Sequence, residues 1–168
     1  MVSEGQIKKL VTTLDDQGAA QYAWPIGDQL VPMNAWLGSQ IRLEFVNDIH
    51  CVACGRSINK TFQNGYCFVC FRSLAQCDLC IVKPELCHYD QGTCREPKWG
   101  LEHCMQDHIV YLANSSGLKL GITKMPNIPS RWIDQGSVEA LPIIRAKTRL
   151  AVGLVEVAMA PHGKAKTN

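Results

Sequence analysis

The sequence predicts an α+β protein in three consecutive parts: a β-rich N-terminal segment (residues 1–50), a cysteine-rich metal-binding module (51–104) and an α/β domain (105–160), followed by a tail (161–168). Three observations carry this division. All nine cysteines fall between Cys51 and Cys104. The residues before them form short strand-like runs interrupted by glycine and proline. The residues after them contain no cysteine and read as β-hairpin, helix, strand, helix, a ββαβα order.

The elements follow from local pattern. In the N-terminal segment, 7–14 (IKKLVTTL), 21–27 (QYAWPIG) and 40–46 (QIRLEFV) have strand-like composition, with breaks at Gly27, Pro32 and Gly38. A small sheet is expected there, with no chemistry assigned to it. In the third part, 108–114 (HIVYLAN) and 118–123 (LKLGIT) flank the turn 115–117 (SSG) as a hairpin. Ser130 is placed to cap a short helix that Gly136 ends. Residues 138–146 read as a strand in which Pro142 favours an edge position. Residues 148–160 read as a helix, with Leu150, Leu154 and Val157 on one side. The tail PHGKAKTN is expected to fray.

Composition narrows the class. The chain has 168 residues, 46% hydrophobic but only 7% aromatic, so burial must rest on aliphatic residues and on whatever a metal supplies. No apolar run is long enough to cross a bilayer, and MVSEGQIKKLVTTL lacks the layout of a secretory signal. A cytoplasmic protein with no membrane partner is therefore expected, and clustered CxxC pairs in a reducing compartment read as metal ligands rather than disulfides. Charge is unevenly spread. Residues 1–50 carry three Lys/Arg against six Asp/Glu, residues 51–104 six against five, and residues 105–168 eight against four. An anionic partner, DNA or RNA, should meet the basic C-terminal end.

The strongest chemical signal is the first pair of motifs. CVAC (Cys51, Cys54) and CFVC (Cys67, Cys70) are separated by 12 residues, a spacing found in zinc-ribbon and treble-clef sites. Two residues between thiolates let both sulfurs face one ion at ~2.3 Å. Gly55 permits the tight turn of a knuckle, and Gly65 suits the return of an intervening hairpin whose arms include residues 57–62. Two complete pairs make a closed, structural zinc site rather than a redox motif. Arg56, Lys60 and Arg72 are a thin cationic footprint, so this site reads as scaffold.

A second cluster follows, with His88, His103 and His108 nearby. Two tetrahedral sets compete: Cys77, Cys80, Cys87 and Cys94, or Cys77, Cys80, Cys94 and Cys104. The spacing suits a second zinc and also an iron–sulfur ([4Fe–4S]) cluster, since soft thiolates accept either metal.

The motifs IVY (109–111) and KLGIT (119–123), with Arg131 at a helix start and Glu156 on a later helix, resemble the GIY-YIG nuclease fold over residues 108–160. From about Cys51 to Ala160 the chain, with PELCHYDQGTCREPKWG (84–100) and then HIVYLANSSGLKLGIT, also resembles an uncharacterised bacterial family, a domain of unknown function. The GIY-YIG resemblance implies a divalent-metal-dependent phosphodiesterase, an endonuclease acting on nucleic acid. Tyr111 would act on the attacking water, Arg131 would steady phosphoryl charge and Glu156 would hold Mg²⁺, which accepts one carboxylate plus waters and phosphate oxygens. The second tyrosine of the signature falls at Lys119, which would instead meet phosphate as a point charge. That fold would continue with more helix beyond Glu156. The competing readings are a non-catalytic zinc-ribbon adaptor for nucleic acid or protein, and a degenerate inactive fragment.

Overall fold

The computed structural model describes residues 2–159 and 166–167. The chain divides into two compact units, residues 1–68 and 69–168, with the division inside the first α-helix, α1 (Phe68–Ser73).

In the first unit, β1 (Val11–Leu14), β2 (Ala20–Ile26) and β3 (Gln29–Pro32) form an antiparallel sheet in that order. Gly27 and Asp28 make a two-residue turn between β2 and β3, with Gly27 at φ +56°, a conformation that favours glycine. The Asn34 side chain binds the edge of β2, accepting from the Tyr22 N–H at 2.7 Å and donating to the Ala20 carbonyl at 2.8 Å. The third strand is therefore 29–32 and not 40–46. Residues 40–46 form no strand, and Ile41, Leu43 and Phe45 are 53%, 62% and 72% exposed. Their alternation suits a strand, but the tight turn at Gly27-Asp28 delivers a different segment to the edge of β2.

The second unit contains α2 (Leu79–Val82), α3 (Pro97–His103), β4 (His108–Asn114), β5 (Leu118–Lys124), α4 (Ser130–Asp134), β6 (Glu139–Ala146), α5 (Arg149–Met159) and β7 (Lys166–Thr167). The sheet order is β6-β4-β5-β7; β4 is antiparallel to both neighbours and β7 runs parallel to β5. The tail thus contributes a short strand where fraying is expected; residues 160–165 and 168 lie outside the described residues. Pro142 sits on the edge strand β6, where its missing N–H costs no ladder bond between two strands.

Side chains of β4 are buried on both faces, which explains its continuous apolar run. Ile109, Tyr111 and Ala113 pack with Ile128, Trp132 and Ala140 on one face. Val110 packs with Leu120 and Val152 on the other, joined by Ile122, Val155 and Met159. Helix α5 therefore buries Val152, Val155 and Met159, while Leu154 and Val157 are 54% and 50% exposed. The expected apolar face of 150, 154 and 157 is not the one that packs. The helix is apolar nearly all round, so the period alone leaves its rotation open. Ser130 is the first residue of α4 rather than its cap, and its hydroxyl donates to the Asn127 carbonyl at 3.0 Å. At the other end of this layer, Asp107 accepts from Arg145 and Lys147.

Gly153 lets α5 lie directly on the turn Pro84–Leu86. A Cβ there would come within 2.6 Å of Pro84 Cβ and 2.7 Å of the Glu85 backbone nitrogen. Gly153→Ala should destabilise by ~1–3 kcal/mol through overpacking, outweighing the helix-propensity gain of ~1 kcal/mol. Chemical denaturation checks this, and a variant as stable as wild type would show that α5 does not need that close approach.

Candidate metal centre

Backbone hydrogen bonds shape the first knuckle. The Cys51 N–H donates to the Arg56 carbonyl and the Gly55 N–H to the Cys51 carbonyl, both at 2.9 Å, with Gly55 at φ +70°. In place of a regular hairpin over residues 57–66 there are two isolated bridges, His50 with Ser57 and Phe62 with Tyr66. Gln63, Asn64 and Gly65 all have positive φ, which turns the chain too sharply for strand pairing to extend. Cys67 and Cys70 flank the start of α1.

The sulfurs of Cys51, Cys54, Cys67 and Cys70 all lie within 4.8 Å of one another. Cys54 Sγ and Cys67 Sγ are 3.9 Å apart, close to the ~3.8 Å edge of a tetrahedron with ~2.3 Å zinc–sulfur bonds. Cys51 is buried and its sulfur accepts the Cys67 N–H at 3.2 Å. Burial pushes the Cys51 thiol up, but N–H groups of Cys54, Cys67 and Ala53 together pull it down to about 6, favouring the thiolate a metal requires. The four-cysteine group fits zinc: a soft donor set, tetrahedral spacing and a stabilised thiolate. None of the nine cysteines is in a disulfide.

The remaining cysteines sort differently from either expected set. Cys80, Cys87, Cys94 and Cys104 line one cavity with Asp78, His88 and Arg95, whereas Cys77 is buried and does not line it. Burial, then the charge of Asp78 and the neighbouring thiols, pushes Cys80 up to about 11; burial also raises Cys104. His103 stacks on Trp99, its ring 4.1 Å away, and His108 is fully buried with Nδ1 2.7 Å from the Gln106 carbonyl; neither lines the cavity. Burial depresses the His108 pKa, so it is neutral there.

In the sheet domain, the Tyr111 hydroxyl donates to Gln135 Oε1 at 2.6 Å, and its ring tilts against Trp132 at 5.9 Å. Burial pushes the Tyr111 hydroxyl up although the Arg131 guanidinium and Gln135 beside it act the other way, so it keeps its proton at neutral pH. The Glu156 charge acts on Tyr111 as well. Burial and the Glu85 carboxylate raise Glu156, while Arg149 and Arg131 oppose that shift. Tyr111 and Arg131 are thus direct neighbours, whereas Glu156 comes from α5, whose Val152 and Val155 pack on the other face of β4, and it acts on them through charge alone. Lys119 lies on the same sheet face as Tyr111, opposite Ala113 and two residues from Gly121. A Cβ on Gly121 would stand 2.8 Å from the Tyr111 hydroxyl, so this glycine makes room for the phenol. Gln135 and Glu85 were invisible to motif reading; only tertiary packing brings them here.

No helix is long and apolar enough to cross a membrane among the described residues. Residues 38–168 match the family described as "Protein of unknown function (DUF2797)". No curated protein and no solved structure matches the chain.

Cys51→Ser should lose one zinc equivalent and unfold the 49–70 segment, because structural zinc sites supply ~10–16 kcal/mol, comparable to a small domain's whole stability. Metal quantification together with amide exchange reads both effects; a folded variant with unchanged zinc would break the assignment.

Proposed function

The chain belongs to the DUF2797 family of unknown function, and we propose that it is a zinc-stabilised, GIY-YIG-like protein that binds nucleic acid and hydrolyses its phosphodiester bonds at Tyr111, Arg131 and Glu156. Tyr111 is hydrogen-bonded and charge-coupled to Arg131, and Glu156 acts on both through its charge; this coupling supports the reading.

Each has a role its surroundings favour. Arg131 supplies a fixed cation for the phosphoryl oxygens. Tyr111 keeps its proton and so is not the base; with that proton donated to Gln135, its oxygen is left to accept from a water. Glu156 would hold Mg²⁺; Glu85 nearby disfavours its charge, a repulsion that a cation would relieve. Such an ion supplies Lewis acidity at the phosphate. Lys119, on the Tyr111 face of β5, would meet a neighbouring phosphate, whereas Arg145 and Lys147 are engaged by Asp107. Lys164 lies outside the described residues.

One observation favours the non-catalytic adaptor as second reading: Tyr111 is fully buried, with its hydroxyl already satisfied by Gln135. The experiment is Mg²⁺-dependent cleavage of supercoiled DNA and of labelled single-stranded RNA. Arg131→Ala and Glu156→Gln should each lower the rate by about 10²–10³-fold while leaving binding intact. Cleavage by Glu156→Gln at the wild-type rate would sink the assignment, and salt-dependent binding without cleavage by wild type would establish the adaptor.

Stability gives an independent check on Glu156. Its folded pKa is raised, so the folded state holds that proton more tightly, and stability falls as pH rises from the unfolded value of ~4.3 through the folded one. Glu156→Gln should therefore melt higher than wild type at pH 8, with the difference closing at pH 4. An equal offset at both pH values would contradict the burial of this carboxyl.

A further inference from the structure

We propose that Cys80, Cys87, Cys94 and Cys104 form a second, tetrathiolate metal centre, distinct from the Cys51 site, that takes zinc. Cys80 lies on α2, Cys87 and Cys94 lie in turns and Cys104 caps α3, yet the four thiols line a single cavity. Its walls are apolar, with Ala75, Ile81 and Trp99, and its polar groups gather as Asp78, His88 and Arg95. Apart from the contact of α5 with Pro84–Leu86, few apolar side chains bury this stretch. Both hydrophobic clusters of the second unit are built from residues 109 onward, while the buried side chains of residues 75–104 are Ala75, Cys77, Cys80, Pro84 and Cys104. A segment of short helices and turns with sulfur where leucine would stand needs a cross-link, and no disulfide supplies one.

Gly100 adds an independent geometric sign. Its Cβ would fall 3.1 Å from Cys94 Sγ and 2.8 Å from the Tyr89 ring, so α3 carries a glycine where the sulfur needs room. The groups around the thiols suit an outer shell. Arg95 pairs with Asp78 at 2.7 Å, and His88 Nε2 lies 3.7 Å from the same carboxylate. Asp78 and Arg95 thus form an ion pair beside the thiols, within reach of an outer shell. Among the donor atoms here, those of Asp78, Cys80 and His88 lie within 4.8 Å of one another; the four sulfurs are spaced more widely, and a bound ion would draw them in. Cys77 is buried beside them without lining the cavity, and the set is drawn without it.

The test is metal and sulfide quantification on full-length protein purified without oxygen. Two zinc per chain are expected, falling to one in Cys80→Ser and in Cys94→Ser and remaining two in Cys77→Ser. Where a serine variant does not fold, Co²⁺ titration of the metal-stripped wild type replaces it, and two equivalents with thiolate charge-transfer absorption are expected. One zinc per wild-type chain, a single Co²⁺ equivalent, iron with acid-labile sulfide, or loss of a metal in Cys77→Ser would each overturn the proposal.

Discussion

Hydrogen-bonded along both edges and buried on both faces, β4 sets the geometry of the C-terminal part of the chain. Its residues point alternately to two layers. Tyr111 faces Trp132 of α4, and Val110 faces Val152 of α5. A shift of one residue along β4 would exchange these layers and send the phenol into an aliphatic cluster. The pairing with β5 runs unbroken from His108 to Asn114, and it is what brings Gly121 opposite Tyr111. The irregularity between Val110 and Tyr111 is confined to the β6 side, where Pro142 lies.

The cysteine-rich stretch is packed differently. Where the sheet domain buries valine, leucine and isoleucine, residues 51–104 bury sulfur. A thiolate–metal bond is directional and local, so it can organise turns too short to share a hydrophobic core. This division of labour matches the low aromatic content of the chain, 7%.

Legibility follows from how local each cause is. The Cys51–Cys70 group could be read because a tetrahedral ion imposes spacing within a few residues of each ligand. The hairpin of β4 and β5 could be read because an apolar run, a turn and a second run lie consecutively. The misplaced third strand shows the opposite case: QIRLEFV alternates as a strand does, yet QLVP pairs, because the Gly27-Asp28 turn decides which segment reaches β2. Helix α5 was legible as a helix and not in its rotation, since apolar residues surround it. In the candidate centre, Tyr111, Arg131 and Glu156 came from a motif resemblance, whereas Gln135 and Glu85 reach them only through tertiary packing that no local pattern encodes.

The contact between Gly153 and Pro84 gives α5 something like a fulcrum. With no side chain at that point, the helix backbone rests on the turn as a beam on its bearing, and cannot slide along its axis without collision. Three residues further on, Glu156 inherits that fixed position. The carboxylate is therefore aimed by a proline in the cysteine-rich stretch as much as by its own helix, and lengthening the Pro84–Leu86 turn by one residue would re-aim it without altering any residue around Tyr111.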